Sequence, residues 1–503
     1  MSEAPKKSYG QILKSSALIG GSTAISVGFS MVRAKAMALL LGPSGYGLFA
    51  IYNSISDLAR TIAGLGIKSS GVRQIAEAVG SGDNRKVACT VTTLRRVALY
   101  SGAVGALLLV LLCKPVSKFS FETYEEAGAV ALMASVAFFM DVSEGQTALI
   151  QGMRRIGDLA RMNVLGALFG TISTIAIIYY FGKRGLVPSL VCVAVMTLIT
   201  SWWYARKIKV EHVPVSTSEV LQEASGLVKL GLVFMVSALA AVGAAYFVRI
   251  ILSRELGHAA AGYYQAAWAV GAVYISFILQ AMGADFYPRL TAVANRHEEC
   301  NQLVNEQAEV GLLMAGPGIL GTLSFAPLAI TIFYRPDFAP AAEVLRWLCL
   351  GMLVRVVTWP MGFIVLAKGD RKTFFWVEVL TNAGYVSLVW LGIKWLGLRG
   401  AGVAFFLLYS VNFVALYLVV RRLTGFRWSK ASRHLAFLFA PLVLVVFLGC
   451  YFLSDWGAAL LGAAVTLPAG FYSMKALCRL VPENNLPKPA RKLIGLLGLR
   501  GST

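Results

Sequence analysis

Histidine and acidic residues are scarce in this chain, and long polar segments are missing. Only 4 histidines occur in 503 residues (His212, His258, His297, His434), each in a separate loop or span end. The 7 cysteines (Cys89, Cys113, Cys192, Cys300, Cys349, Cys450, Cys478) are scattered, with no CxxC pair. That spacing excludes a metal centre and a disulfide framework, and leaves the cysteines as small apolar residues. There is no Ser/His/Asp grouping, no Walker loop and no GxGxxG. No loop is long enough to house a nucleotide-binding domain, so an ATP motor within the chain is excluded. The loops expected outside the cell are equally short, which argues against polymerase or ligase chemistry. No enzyme activity, cofactor or metal is expected.

What the chain does contain is apolar sequence. It is 57% hydrophobic and 14% charged, with apolar runs from end to end. A soluble protein of this composition would aggregate, so the expected class is an all-α polytopic membrane protein. The opening MSEAPKKSYGQILKSS has no short apolar core followed by a small-residue cleavage site, so the first helix is expected to remain in the membrane. About fourteen spans are expected by length and hydropathy. They are 15–41, 45–67, 91–113, 123–150, 158–181, 185–205, 226–253, 260–284, 308–333, 341–367, 374–396, 400–422, 433–453 and 456–478.

Lys and Arg number 46 against 25 Asp and Glu, a net charge of +21. With the N-terminus in the cytoplasm, most of these cations fall in the termini and the even-numbered connections, such as 68–90, 151–157, 206–225 and 285–307. This is the positive-inside rule. It puts both termini in the cytoplasm and accounts for the basic excess beside an anionic leaflet, with no nucleic acid required.

Polar and glycine anchors recur at one near-constant offset of about 216 residues. Val32-Arg33 matches Val248-Arg249, Gly45-Tyr46 matches Gly262-Tyr263, and Arg73 matches Arg289. Gly152 matches Gly369, and Arg184-Gly185 matches Arg399-Gly400. The expected organisation is an N-terminal six-helix lobe (1–210), a cytoplasmic linker (211–225) carrying Pro214, and a C-terminal six-helix lobe (226–425). Two appended helices (433–478) and a cytoplasmic tail (479–503) follow. Six is even, so the lobes are parallel repeats, which implies a central cavity with alternating access.

Charges stand inside these spans at a cost of about 2.5–3.5 kcal/mol each on insertion scales. They are Arg33 and Lys35 in the first span, Asp57 and Arg60 in the second, and Asp141 and Glu144 in the fourth. Arg249 lies in the seventh, and Arg346 and Arg355 lie in the tenth. Asp57 and Arg60 are three apart and can pair on one helix face. Asp141 and Glu144 are also three apart and alike in sign, so one is expected to hold a proton. Arg33 and Arg249 occupy matching positions and can both point into one cavity. An equally weighted alternative has Arg33 pairing with Asp57 to tie two helices together. Arg346 is close enough to a span end to snorkel, and Glu378 and Asp285 read as interfacial. Basic residues still outnumber internal acids, which suits an anion. The planar guanidinium fork suits phosphate in particular.

The stretch LGPSGYGLFAIYNSISDLARTIAGLGIKSSGVRQIAE resembles the helix 1–2 region of Wzx-type polysaccharide (O-antigen) flippases. These belong to the multidrug/oligosaccharidyl-lipid/polysaccharide exporter superfamily. FYPRLT at 286–291 resembles the motif after their eighth helix, and LAKGDRKTFFWVEVLTNAGYVSLVWLGIKWLGLRGAG their helix 11–12 region. The likeness covers roughly 10–425. It implies a MATE-like arrangement of two lobes and a flippase for undecaprenyl-pyrophosphate-linked oligosaccharide, moving from the cytoplasmic to the periplasmic leaflet of the bacterial inner membrane. By analogy, Arg33, Arg60 and Arg249 would contact the pyrophosphate, with Lys35 and Arg355 in the same cationic cavity. Coupling to H+ or Na+ through Asp57, Asp141 or Glu144 is the expected drive. Expected partners are the lipid-linked glycan, membrane lipid, and a polysaccharide polymerase with its chain-length regulator. The alternatives are a lipid II flippase, which fits a cationic cavity equally well, and a MATE-like multidrug antiporter, which a basic surplus disfavours.

Overall fold

The computed structural model describes residues 4–210 and 217–480; residues 211–216 of the expected linker and the tail beyond 480 lie outside the described residues. Every regular element among the described residues is helical. In order they are α1 (Ala4–Ala63), α2 (Ile67–Gly80), α3 (Asn84–Leu111), α4 (Cys113–Phe121), α5 (Ala127–Gly152), α6 (Ile156–Phe181), α7 (Leu186–Ala205) and α8 (Thr217–Leu256). Then come α9 (His258–Ala292), α10 (His297–Ser324), α11 (Ala326–Phe333), α12 (Pro340–Ala367), α13 (Arg371–Leu396), α14 (Arg399–Thr424), α15 (Lys430–Phe452) and α16 (Asp455–Leu480).

Ten helical segments among the described residues are long and apolar enough to cross a membrane, or eleven if α10 and α11, bent by 79°, form one span. The chain is an all-α, multi-pass membrane protein. Two of the ten segments are unusually long: Gly20–Ala63 has 44 residues and Ile156–Ala205 has 50. The first is kinked at Gly42, whose φ of 66° and ψ of −175° leave the helical region. Pro43 then opens the next helical stretch, where its missing N–H costs nothing and its fixed φ suits the first turn. The Gly-Pro-Ser-Gly at 42–45 is therefore a sharp kink between two helical stretches, at the place where the sequence suggested a connection. In the second long segment, a short 3₁₀ turn at Gly182–Gly185 separates α6 from α7.

The polar connection expected at 68–90 is also largely helical. In α2 the buried positions Ile67, Gly71, Ile75 and Ala78 fall on one face, so half of this charged segment is amphipathic helix. Asp83 caps α3 by accepting from the backbone N–H groups of Arg85 and Lys86 at 2.9 and 3.3 Å.

The helices group into two compact units, one comprising Met1–Gly262 with Phe333–Asp337, the other Tyr263–Ile332 with Phe338–Thr503. Packing thus places α8 in the first unit, whereas the repeat read from the sequence restarts at that helix. Polar ties hold it there. Glu223 of α8 accepts from Thr90 of α3 at 2.9 Å, and Glu219 pairs with Arg85 at 3.3 Å. Beside the α8–α9 turn, Ser253 and His258 Nδ1 share a 2.6 Å hydrogen bond. Burial pushes the His258 imidazole below its usual range, against the upward pull of Glu126.

In the second unit, α15 and α16 pack against α10. The Phe439 ring of α15 occupies the space a Cβ would take at Gly316 of α10, 2.4 Å away. At the foot of that contact, Asn305 donates to the Arg427 carbonyl at 3.1 Å and accepts from the Ser429 N–H at 2.8 Å. Glu309 accepts from the Ser429 and Ser432 hydroxyls at 2.6 and 2.9 Å. These bonds satisfy polar groups that would otherwise be costly at a helix junction in lipid.

Candidate functional site

Six of the eight residues expected from the sequence to bind or couple form a connected electrostatic chain within the first unit. It begins at the kink of α1. Pro43 has no N–H to offer the carbonyl of Leu39, four residues back, and an unpaired carbonyl is expensive in a membrane. Arg335, from the 333–337 segment that packs with this unit, donates its Nη1 to that carbonyl at 3.1 Å and pairs with Asp337 at 3.1 Å. Its neighbour Tyr334 is buried edge-on against Tyr46, ring centroids 5.6 Å apart and hydroxyls 3.4 Å apart. Arg335→Gln is expected to lower stability by about 1 kcal/mol, the usual worth of such a bond. A thermal-unfolding measurement in detergent checks it.

Tyr46 lies within electrostatic reach of both Arg33 and Arg249. The charges of the two arginines matched by the sequence repeat therefore both reach one buried ring in one unit. Arg33 is half-buried and leans toward α6, where Gly170 leaves room: a Cβ there would sit 3.7 Å from Arg33 Nη1. Among the described residues its guanidinium makes neither a hydrogen bond nor an ion pair. The pairing of Arg33 with Asp57, offered as an alternative by the sequence, is not formed. Arg249 donates Nη1 to the Ala245 carbonyl of its own helix at 2.8 Å, and its charge also reaches Asp57.

Asp57 accepts from Asn53 at 3.2 Å and faces Arg60 at 3.9 Å. Arg60 also reaches Glu144 of α5 at 3.4 Å, so it bridges two carboxylates on two helices. Asp141, one turn before Glu144, is 3% exposed, and neither carboxylate oxygen has a hydrogen-bond partner among the described residues. Glycines make room for it: a Cβ at Gly64 would lie 3.2 Å from its Oδ1, and one at Gly102 would lie 3.3 Å from its Cβ. A cavity of ≈ 10 Å³, about one water in size, is lined by Lys68, Ser101, Asp141 and Glu144 among others. An unpartnered carboxylate beside a water-sized space is where a proton or small cation can be held.

Two expected site residues stand apart. Lys35 is exposed, and at two residues from Arg33 it is turned about 200° around the helix, so the two do not face each other. Arg355 belongs to the second unit, near the middle of α12, with its guanidinium 5.7 Å from the ring of Tyr409. Arg346 has its Nε buried without a hydrogen bond. Glu378 accepts from Asn382 of its own helix at 3.4 Å, and the Asp285 side chain lies outside what is described. Tyr334 and Arg335 were not singled out from the sequence, and Tyr46 was read there only as a repeat anchor. Pro43 was the available signal, because it announces an orphan carbonyl that some donor must reach. Among the described residues, no group of three or more His, Cys, Asp or Glu is placed to hold a metal ion.

The chain resembles known proteins along most of its length. It is 22% identical over 416 residues to the lipid III flippase of Escherichia coli K12, covering 80% of this chain and 96% of that protein. It is 21% identical over 406 residues to the lipopolysaccharide biosynthesis protein WzxC of the same organism, covering 79% and 78%. It is 20% identical over 382 residues to a probable low-salt glycan biosynthesis flippase, Agl15, of Haloferax volcanii, covering 74% and 76%. Its fold matches the lipid II flippase MurJ in an inward closed conformation with a TM-score of 0.65 at 14% identity, over 93% of this chain and 99% of that one. It matches an inward-facing multidrug resistance MATE family transporter with a TM-score of 0.63 at 16% identity, over 81% and 96%. The helix packing is thus MATE-like, and none of these proteins is named for a catalysed reaction. A model of the family described as polysaccharide biosynthesis protein matches residues 36–343, more than half of the sequence, and the chain belongs to that family.

Proposed function

We propose that this protein is a flippase of the multidrug/oligosaccharidyl-lipid/polysaccharide exporter superfamily. It carries an undecaprenyl-pyrophosphate-linked oligosaccharide, such as an O-antigen or other surface-polysaccharide repeat unit, from the cytoplasmic to the periplasmic leaflet of a bacterial inner membrane. It is a transporter and not an enzyme. The observation that carries this reading is Arg33, a guanidinium inside an apolar helix with no hydrogen bond or ion pair among the described residues, whose charge, like that of Arg249, reaches Tyr46. The Arg33 fork, inside an apolar helix and without a hydrogen bond or ion pair among the described residues, suits a diphosphate head group, which accepts in bidentate fashion. The names of the relatives, flippases for lipid III and for a glycan, point to the same class of cargo. Lys35 and Arg355 would meet other anionic parts of the cargo. A polysaccharide polymerase and chain-length regulator would act downstream.

Fourteen crossings fit this role, with both termini in the cytoplasm. At 1.5 Å per residue, the 44- and 50-residue segments span roughly 66 and 75 Å, about twice the 30 Å hydrocarbon core. On this reading each divides into two crossings, at Gly42 and at Gly182–Gly185. The proposal counts α9 and α10 as the two further crossings that fourteen requires.

The drive is proposed to be H+ or Na+ bound at Asp141 and Glu144. Asp141→Asn/Glu144→Gln should abolish the ion dependence of transport in reconstituted vesicles; transport that keeps both its rate and its ion response would remove the pair from the mechanism. The cargo assignment is tested in the source organism. Deleting the gene should remove surface polymer and cause lipid-linked intermediates to accumulate, and the wild-type gene should reverse both. Unchanged polymer in a strain without a redundant flippase would overturn the assignment. Rescue of a strain lacking its lipid II flippase would redirect it to peptidoglycan.

A further inference from the structure

A second basic site lies away from the Arg33–Glu144 chain. A cleft of ≈ 580 Å³ opens between α3, α5 and the end of α7, lined by Arg95, Gln146, Arg206 and Lys209, with Leu99 and Trp202 among its apolar walls. Among the described residues no Asp or Glu lines it. Among the described residues, Arg95 and Lys209 have no hydrogen bond or ion pair, although both are exposed enough to find one. Arg206 is held by aromatic faces instead, 3.7 Å from the Trp203 ring centroid and 4.8 Å from that of Trp202. Gln146 is oriented by Ser201, which donates to its carbonyl oxygen at 2.6 Å, so its amide N–H groups remain as donors.

We propose that this cleft binds the phosphate of an anionic phospholipid. Three cations with no ion pair among the described residues, one of them stacked on tryptophan, and an amide donor form the polar end. Trp202 is 50% exposed and Leu99 46% exposed, which offers a ring and an aliphatic surface for the glycerol and the upper acyl chains. Trp at a helix end marks the membrane–water interface, the depth at which a lipid phosphate sits. Basic clefts between membrane helices at that depth are the usual receptors for anionic head groups. A soluble phosphate would satisfy the cations but leave Trp202 and Leu99 without an occupant, so the geometry favours the lipid. On the proposed topology the site faces the cytoplasmic leaflet, which is the anionic one. The lipid would brace α3 against α7 and would not itself be transported, so this inference stands whether or not the cargo is a glycan.

The test is binding of phosphatidylglycerol and phosphatidylcholine to the purified full-length protein in detergent, followed by native mass spectrometry and thermal unfolding. Phosphatidylglycerol should bind in preference and raise the unfolding temperature. In Arg95→Gln/Lys209→Gln, which leaves the Arg206–Trp stack intact, affinity should fall about fivefold for each charge removed. The comparison variant is Arg421→Gln/Arg422→Gln, which removes two exposed cations elsewhere and should bind like wild type. Equal loss in both variants would reduce the effect to net charge and overturn the site. So would inorganic phosphate that stabilises as well as the lipid, or phosphatidylcholine that binds as tightly. If the cleft variant unfolds at the wild-type temperature without lipid, a folding defect is excluded as the cause of its weaker binding.

Discussion

Replacing Arg33 and Arg249 together with alanine should abolish glycan export while leaving the protein in the membrane at normal abundance. The reasoning separates function from folding. Among the described residues Arg33 has no hydrogen bond or ion pair to lose, so its removal takes away a desolvated charge and little else; Arg249 also gives up its bond to the Ala245 carbonyl and its pull on Asp57, so Arg33→Ala alone is the control for abundance. Each charge-assisted contact to a phosphate is worth about 1.5–3 kcal/mol. Losing both sites removes about 3–6 kcal/mol, or about two to four decades of affinity for the head group. Surface polymer, lipid-linked intermediates and membrane abundance would be measured in a deletion strain carrying the variant. Full restoration of polymer by a normally expressed double variant would sink the cationic-site reading. Arg60 is the wrong residue for this test. It joins Asp57 to Glu144 at 3.9 and 3.4 Å, so Arg60→Ala leaves two carboxylates unbalanced and confounds transport with stability.

The second large effect is expected at a contact with no charge at all. Gly47, just after the α1 kink, meets the start of α9 backbone to backbone. A Cβ at Gly47 would lie 1.8 Å from the His258 carbonyl oxygen, and one at Gly262 would lie 2.1 Å from that of Pro43. Neither obstacle is a side chain that can swing aside. Close backbone approach through small residues is the main device for packing helices in a bilayer, where lipid is as apolar as the side chains. Gly47→Ala or Gly262→Ala should each cost about 1–3 kcal/mol, the range for overpacking. Gly47→Leu should leave no folded protein in detergent-solubilised membranes. Gly157→Ala is the comparison, since nothing lies within 4 Å of a Cβ there, and it should be neutral or slightly stabilising. A wild-type unfolding temperature for Gly47→Ala would show that the helices can separate freely at this point.

Composition and hydrophobic periodicity determined the class of this protein. A chain 57% hydrophobic with no loop able to hold a domain has only helices in a bilayer open to it, and the structure is all-helical among its described residues. The intramembrane charges were legible for the same reason, since each is an exception within an apolar run. Helix spacing also announced that Asp57 can face Arg60. Spacing could not say that Arg60 would be shared with Glu144, because that depends on how α1 and α5 cross. Nor could it choose between Asp57 and an open site for Arg33, since rotation about the helix axis is set by packing partners such as Gly170. The sequence put a connection at 42–45, and the structure shows how short it is: one Gly with positive φ and one Pro suffice to break and redirect the helix. Arg335 reaches Leu39 across nearly three hundred residues, and Trp202 and Arg95 meet around one cleft although a hundred residues separate them. A one-dimensional pattern records which residues face away from lipid. Which of them then face each other is decided only when the helices pack, because rotation and crossing angle come from side-chain fit and not from hydropathy.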